Sequence, residues 1–338
     1  MDASSSEAFR GETKSVKPTF HIAFCVDNHY FRSMGATIAS VIANNPGVHF
    51  VFHVFAFAVS DEHRRRLSRL ESMYDVGTQI HIIDPVVFKE FAHFTQSSYY
   101  SPSIFTRLLI PTVLQGTTDR VLYLDADILC VGSIAGLVGM DITDTIAVVV
   151  PDAEATTARR TVALGLKNPQ YFNSGVMFMN VDRWMANRIS QSTIEAILKD
   201  GEKYRFPDQD ALNVVLDGRA RFVDKKWNYL YGLIGDLDAD RRNLNIVGDA
   251  VFIHFAGAVK PWNTWSGHDS RELFARYHAM SPWSDMSLDE EPQNYKEMRM
   301  FSRFLFKRRQ FGDSATWYFR YLFKKISRAR KAVRAVQI

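Results

Sequence analysis

Short apolar runs alternate along this chain with longer segments whose apolar residues recur every three or four positions. The pattern therefore switches repeatedly between strand and helix periods. Phe20 to Val26 reads as a strand that stops at Asp27. Met34, Ile38, Val41 and Ile42 then mark one helical face, until Asn44-Asn45-Pro46 ends it. Residues 48–57 are the next β-rich run, and Ser60 stands where it would cap a charged helix. Residues 79–83 predict a third strand and residues 103–114 a helix, despite Pro111. Further strands are predicted over 120–124, 146–150, 175–181 and 251–255, with a helix over 208–216 ending near Gly218.

This alternation predicts an α/β fold with a mostly parallel sheet. Ligands of such sheets bind at the carboxyl ends of strands. Asp27 and the stretch Asp125-Ala126-Asp127 both fall at predicted strand ends, so they are expected to share a crevice. Alternate side chains of an extended backbone point the same way, which lets Asp125 and Asp127 converge on one ligand. Two anions so close repel unless a cation lies between them, and a hard divalent metal carrying phosphate oxygens suits that position. A turn after a strand is the plainer alternative, since Asp is common there. The chain has no Walker or G-x-G-x-x-G loop, which disfavours a P-loop kinase or a dinucleotide dehydrogenase.

Bulk properties narrow the picture further. At 338 residues and 46% hydrophobic composition the chain can bury one large core. Cys25 and Cys130, its two cysteines, lie in apolar runs and read as buried free thiols in a reducing compartment. The first 17 residues are polar and lack a signal-like apolar region. No run approaches the ~20 apolar residues of a membrane span. A cytoplasmic protein is the expectation. Residues 296–338 hold thirteen Lys and Arg against Glu297 and Asp313, a net +11, which leaves residues 1–295 at −7 within the overall +4. A basic end on an acidic body calls for an anionic partner.

Four other stretches carry polar chemistry next to apolar runs. They are Tyr171-Phe172-Asn173-Ser174-Gly175, Pro207-Asp208-Gln209-Asp210, His254 at the end of a strand, and Lys260-Pro261-Trp262. Each has a plainer reading: Asn173 as a turn residue, Asp208 as a helix cap, His254 as a satisfied core imidazole, and Trp262, Trp265 and Trp283 as packing.

Together with Phe24-Cys25-Val26-Asp27 and Leu122-Tyr123-Leu124-Asp125-Ala126-Asp127, these stretches decide the matter by their order and wording. The motifs Tyr171 to Val176, Asp208 to Asn213 and His254 to Trp262 complete the set. The chain resembles the retaining glycosyltransferases of family 8, and within them the bacterial lipopolysaccharide core glucosyl- and galactosyltransferases. The resemblance covers about residues 19–285. It implies a single Rossmann-like nucleotide-sugar-binding domain of the GT-A type, with a C-terminal basic helical extension. The expected divisions are a polar segment 1–18, a catalytic domain 19–285 and an extension 286–338.

The resemblance also implies roles. Asp125, Asp127 and His254 would bind Mn²⁺ or Mg²⁺ with the diphosphate of UDP-glucose or UDP-galactose. An imidazole ligand suits Mn²⁺ somewhat better. Asp27, with Asn28 and His29, would contact the uridine, and Ala126 would also line the donor site. Gly257 and Lys260 would hold the diphosphate. Arg107, Asn173, Ser174, Asp208 and Gln209 would surround the transferred sugar, with Gln209 and Asp208 as the catalytic pair. The sequence departs from relatives at two places: His29, where Asn is frequent, and Phe105, where Tyr is frequent. The acceptor would be the lipopolysaccharide core. The alternatives are a transferase acting on another glycan, or a non-catalytic protein that binds sugar nucleotides or glycans.

In the tail, Phe301, Phe304, Leu305 and Phe306 interleave with Arg299, Arg303, Lys307, Arg308 and Arg309. After Gly312, Ser314 is expected to cap a second helix, with Tyr318, Leu322, Ile326, Ala329 and Val333 on one face and Arg320, Lys324, Arg328 and Lys331 on another. A basic amphipathic helix of this kind lies on anionic membrane surfaces. The expected location is therefore the cytoplasmic face of the inner membrane, peripherally bound. No nucleic-acid motif accompanies the charge, so nucleic acid is not an expected partner. An ordinary packing helix with a solvated basic face is the plainer reading.

Overall fold

The computed structural model describes residues 17–90, 102–246 and 248–336. Ten strands are described: β1 (Thr19–Cys25), β2 (His49–Ala56), β3 (Gly77–Ile82), β4 (Arg120–Leu124), β5 (Ile128–Cys130), β6 (Ala147–Pro151), β7 (Phe172–Asn180), β8 (Arg221–Phe222), β9 (Tyr229–Leu230) and β10 (Phe252–His254). They form a seven-stranded sheet in the order β3-β2-β1-β4-β7-β6-β8, and a three-stranded sheet in the order β5-β10-β9.

The first half is built as the hydrophobic pattern predicts. Strand β1 sends Phe20, Ile22 and Phe24 into a core on one face, and Ala23 into a core on the other. Both faces are thus covered, as parallel sheets require. The helices Phe31–Asn44 and Asp61–Tyr74 connect β1 to β2 and β2 to β3, and all three strands run parallel. Ser60 caps the second helix, its side chain accepting from His63 N. Across the same strands the imidazoles of His21, His53 and His81 stack and join through ring nitrogens at 2.9 and 3.1 Å.

Strand β4 continues the parallel set beside β1. Strand β7 then runs antiparallel to both β4 and β6. The direction of β7 matters for the site. An antiparallel strand begins where its neighbour ends, so the start of β7, Asn173 to Gly175, meets the end of β4. Asp125 N donates to Gly175 O at 2.8 Å across that junction.

Three expectations change. Residues 103–114 are not one helix: a 3₁₀ segment Pro102–Leu109 leads into a short α-helix Ile110–Leu114. Pro111 falls in the first turn of that helix, where no N–H is needed. Residues 251–255 give the shorter β10, which belongs to the small sheet and not to the large one. Ser314 is not a cap, because the last helix begins at Phe311. Its hydroxyl instead donates to Ser302 O at 2.8 Å, and Ser302 returns the bond to Ser314 O at 2.8 Å. The helices Glu154–Leu164 and Ile189–Asp200 were not anticipated from the pattern.

The packing readings of the tryptophans hold. Trp283 is completely buried, stacked on Phe31, and its indole N–H donates to His63 Nδ1 at 3.1 Å. The C-terminal helices Tyr295–Lys307 and Phe311–Val336 pack on each other and on the body. Phe301 and Phe304 pack on Trp265, with ring centroids 5.4 and 6.4 Å away, and Arg303 forms an ion pair with Asp238. Cys25 and Cys130 are free thiols, both pushed by burial up to about 12. Among the described residues no helix is long and apolar enough to cross a membrane. The expected segment 1–18 lies almost wholly outside the described residues.

Candidate active site

Three chain segments converge where β4 ends. Past Leu124 the chain turns through Asp125-Ala126-Asp127 into β5. Strand β10 pairs antiparallel with β5, His254 lying opposite Ile128, so the imidazole arrives beside Asp127. Phe255 N donates to Asp127 O at 3.1 Å and fixes this register. Thr37, from the first helix, donates to Ile128 O at 2.7 Å and Ala126 O at 3.3 Å, holding the turn from behind.

His254 Nε2 lies 3.2 Å from Asp127 Oδ1 and 3.9 Å from Asp125 Oδ2. One ligand atom from each of Asp125, Asp127 and His254 fits within a 4.8 Å span. On its other side His254 Nδ1 meets Asn228 Oδ1 at 3.0 Å. An amide oxygen can only accept, so Nδ1 carries a proton, and Nε2 is the nitrogen that faces the carboxylates and would ligate a metal. Gly175 makes this approach possible. A Cβ there would come within 2.4 Å of His254 Cε1 and 2.8 Å of Asp125 Oδ2. Two carboxylates and one oriented imidazole are a donor set that fits Mn²⁺ or Mg²⁺.

Cations surround this anionic pair. Lys260 Nζ is ion-paired to Asp127 and donates to Phe255 O at 2.9 Å. Burial alone would raise the Asp127 carboxyl, but Lys260 and His254 overcome it and hold the group far below the usual carboxylate range. Arg107 is buried, with Nη2 at 3.1 Å from Asp125 Oδ1 and Nη1 at 3.1 Å from Asp208 Oδ2. Nη1 also donates to Ser174 Oγ at 2.8 Å, and the guanidinium lies over the Tyr123 ring. Burial opposes the charge of Arg107, yet Tyr123, Asp208 and Asp125 outweigh it and keep it protonated. Burial raises the Asp208 carboxyl, with Arg107 pulling the other way.

Beyond Ser174 the network reaches the amides. Gln209 Oε1 accepts from Ser174 N at 3.0 Å and Asn173 Nδ2 at 3.2 Å. Asn173 Oδ1 accepts from Gly175 N at 3.0 Å and Asn228 Nδ2 at 2.9 Å. Asp125, Asp127, His254, Lys260, Arg107, Asn173, Ser174, Asp208 and Gln209 thus stand in one connected group. Asp27 follows the end of β1, and its Oδ1 accepts from His29 N at 3.0 Å. Because β1 and β4 are parallel neighbours, Asp27, Asn28 and His29 leave the sheet at the same edge as Asp125. Their side chains do not join the cluster by any described hydrogen bond. Gly257 has φ +106°, which L side chains rarely adopt, in the loop between His254 and Lys260.

Several participants carried no assigned role in the sequence. Tyr123 donates to Asp125, Asn228 orients His254, and Asp152 accepts from Gln209 Nε2 at 2.9 Å. Asp152 stands just past the end of β6, the same signal that singled out Asp27. Tyr123 shares a strand face with Asp125. Nothing local marks Asn228. A groove of about 990 Å³ lies between the two C-terminal helices, lined by Arg299, Phe306, Phe311, Tyr318, Tyr321 and Lys325 among others. It has no carboxylate or imidazole in its lining, in contrast to the Asp125–Asp127–His254 cluster.

Residues 21–266 match the family described as Glycosyl transferase family 8, and residues 269–325 match its C-terminal region, Glycosyl transferase family 8 C-terminal. The chain is 32% identical over 314 residues to lipopolysaccharide 1,3-galactosyltransferase of Salmonella typhimurium, covering 91% of each protein. It is 28% identical over 300 residues to a lipopolysaccharide 1,2-glucosyltransferase of Escherichia coli, covering 87% of this chain and 88% of that one. The fold is similar to that of galactosyltransferase LgtC, solved with donor and acceptor sugar analogs. The TM-score is 0.67 at 22% identity, covering 82% of this chain and 99% of that one.

Proposed function

The chain belongs to glycosyltransferase family 8, and on that premise we propose that it is a metal-dependent, retaining hexosyltransferase. It would move glucose or galactose from a UDP-hexose to the lipopolysaccharide core in an alpha linkage. One observation carries the reading: Asp125, Asp127 and His254 converge within 4.8 Å at the carboxyl edge of the sheet, with Lys260 against them. A module that only bound glycans would have no need of that set. The two lipopolysaccharide hexosyltransferases that match nearly the full length support the acceptor class.

Asp125, Asp127 and His254 would hold Mn²⁺ or Mg²⁺, which when bound neutralises charge growing on the departing diphosphate. Lys260 brings a second positive charge to the same place, so the leaving group needs no general acid. Asp27, Asn28 and His29 are assigned to the uridine, Ala126 to the donor wall and Gly257 to the diphosphate. Arg107, buried between Asp125 and Asp208, keeps two carboxylates apart in the sugar pocket while balancing their charge. Asp208 would orient the hexose hydroxyls, with Asn173 and Ser174 beside it.

Retention by double displacement would need a nucleophile at the anomeric carbon. Gln209 is assigned that position, and an amide is a poor nucleophile. The acceptor hydroxyl would therefore attack from the face the diphosphate leaves, while Gln209 Oε1 stabilises the positive charge that builds on the sugar. A covalent glycosyl adduct trapped on Asp208 would overturn this route.

The tail is assigned to an anionic membrane surface. A packing helix buries its apolar stripe, but Phe319 and Phe323 are 69% and 77% exposed, and Phe306, Phe311 and Ile326 are exposed as well. Arg320 and Lys324 flank them. Exposed aromatics beside cations suit the boundary of an anionic leaflet. On this reading the enzyme would act as a peripheral protein on the cytoplasmic face of the inner membrane.

The deciding assay is transfer from UDP-glucose and UDP-galactose to lipopolysaccharide core with Mn²⁺. Transfer by the wild type and its loss in Asp127→Ala support the reading. Metal-dependent binding with no transfer to any glycan would make the protein a non-catalytic sugar-nucleotide binder.

A further inference from the structure

The neighbours of Gln209 allow its side-chain amide one orientation. Asp152 Oδ2 can only accept and the Ser174 backbone N–H can only donate, so Nε2 faces the first at 2.9 Å and Oε1 the second at 3.0 Å. Nε2 also donates to Tyr171 Oη at 2.9 Å. Tyr171 has one proton, and it goes to Asp210 Oδ1 at 2.6 Å. Burial and the adjacent Asp210 carboxylate push the Tyr171 hydroxyl far above its usual range, so that proton stays.

Asp210 is fully buried, and its other bonds are all accepted. Arg160 donates from Nε at 3.1 Å and Nη2 at 2.6 Å, and the backbone N–H groups of Arg205 and Phe206 donate at 2.7 and 3.0 Å. The polarity of the chain therefore runs one way. Arg160 fixes Asp210 as an anion, Asp210 takes the Tyr171 proton, and Tyr171 is left with lone pairs for Gln209. Turning the Gln209 amide over would set acceptor against acceptor at both Asp152 and Tyr171, and donor against donor at Ser174.

We propose that Tyr171, Asp210 and Arg160 are positioning residues for hexosyl transfer, holding the Gln209 carbonyl oxygen on the side of Ser174, Arg107 and Asp125. The inference rests on the reading of Gln209 as the group that faces the sugar. Arg160 acts from the helix Glu154–Leu164, three links removed from that amide, with Asp210 and Tyr171 between them.

The test uses Tyr171→Phe, which removes one hydroxyl. In the transfer assay kcat should fall about 10- to 100-fold, as expected for a misplaced reacting group. KM for the UDP-hexose should stay within about twofold. Gln209→Ala combined with Tyr171→Phe should be little worse than Gln209→Ala alone, because the two act as one unit. Arg160→Lys should retain more rate than Arg160→Met. A crystal structure of Tyr171→Phe without substrate gives a readout that needs no activity: the Gln209 amide keeps its orientation toward Asp152 and Ser174 but, without its third partner, should shift from its wild-type position or spread over more than one. Wild-type kcat in Tyr171→Phe, or losses that multiply in the double variant, would overturn the proposal while the transferase reading stands. If the wild type transfers no hexose, that reading fails, and an unmoved Gln209 in the variant crystal would overturn the positioning claim separately. Should Tyr171→Phe not fold, Arg160→Met carries the same measurements.

Discussion

His254 and Asn228 are joined side chain to side chain, Nδ1 to Oδ1 at 3.0 Å, across 26 residues of sequence. The bond fixes which imidazole nitrogen faces Asp125 and Asp127, and it is the kind of outer contact on which ligand geometry depends. Asn228→Ala should weaken metal-dependent UDP binding about 10- to 100-fold. Titration of the variant with UDP and Mn²⁺ checks this, and an affinity equal to wild type would contradict it.

Gly175 is the second support of the same imidazole. Since a Cβ there would stand 2.4 Å from His254 Cε1 and 2.8 Å from Asp125 Oδ2, neither of which can swing freely away, Gly175→Ala should overpack the site. The expected cost is about 1–3 kcal/mol of stability. Metal-dependent binding should weaken with it. Denaturant unfolding and titration measure the two effects, and a variant indistinguishable from wild type in both would show that the cluster is looser than described.

The imidazole stack gives a pH signature. Burial, then the neighbouring His21 and His81, lowers the His53 ring to about 3. In the unfolded chain it would titrate near the ordinary value of about 6.5. Between those values the unfolded state binds the extra proton, so stability rises with pH there. The contribution is fully present above about pH 6.5 and is lost as the pH falls toward 3, with a slope of at most about 1.4 kcal/mol per pH unit. Urea unfolding of wild type and His53→Gln between about pH 7 and 4 should show the steeper loss in the wild type. Parallel curves would mean that His53 is protonated when folded.

The exposed face of the last helix makes a separate claim. Phe319→Ser with Phe323→Ser should abolish most binding to vesicles containing anionic lipid while leaving Tm within about 2 °C, since neither side chain is buried. Co-sedimentation with anionic and neutral vesicles is the measurement. Undiminished binding would assign the tail another partner.

The large sheet was legible in the sequence because its central strands are buried on both faces, and stretches such as Val121 to Leu124 and Ala147 to Val150 form unbroken apolar runs. The direction of β7 was not legible, since a hydrophobic run reads the same both ways. The separate placement of β10 was hidden for the same reason. Asp125, Asp127, His254, Lys260 and Gln209 could be singled out by motif. Their companions could not. Asn228 reaches His254 only through the pairing of β9 with β10, and Arg160 reaches Asp210 from a helix that carries no buried stripe. Ser314 looked like a cap because it follows Gly312, but tertiary packing against Ser302 claimed its hydroxyl.

The central claim is metal-dependent recognition of a UDP-hexose at Asp125, Asp127 and His254. Its most direct test is isothermal titration of the purified protein with UDP-glucose and UDP-galactose, each with and without Mn²⁺, alongside Asp127→Ala. The account predicts binding of one of the two sugars that requires Mn²⁺ and disappears in the variant. Binding of neither sugar, or binding that is indifferent to Mn²⁺ and to Asp127, would contradict it.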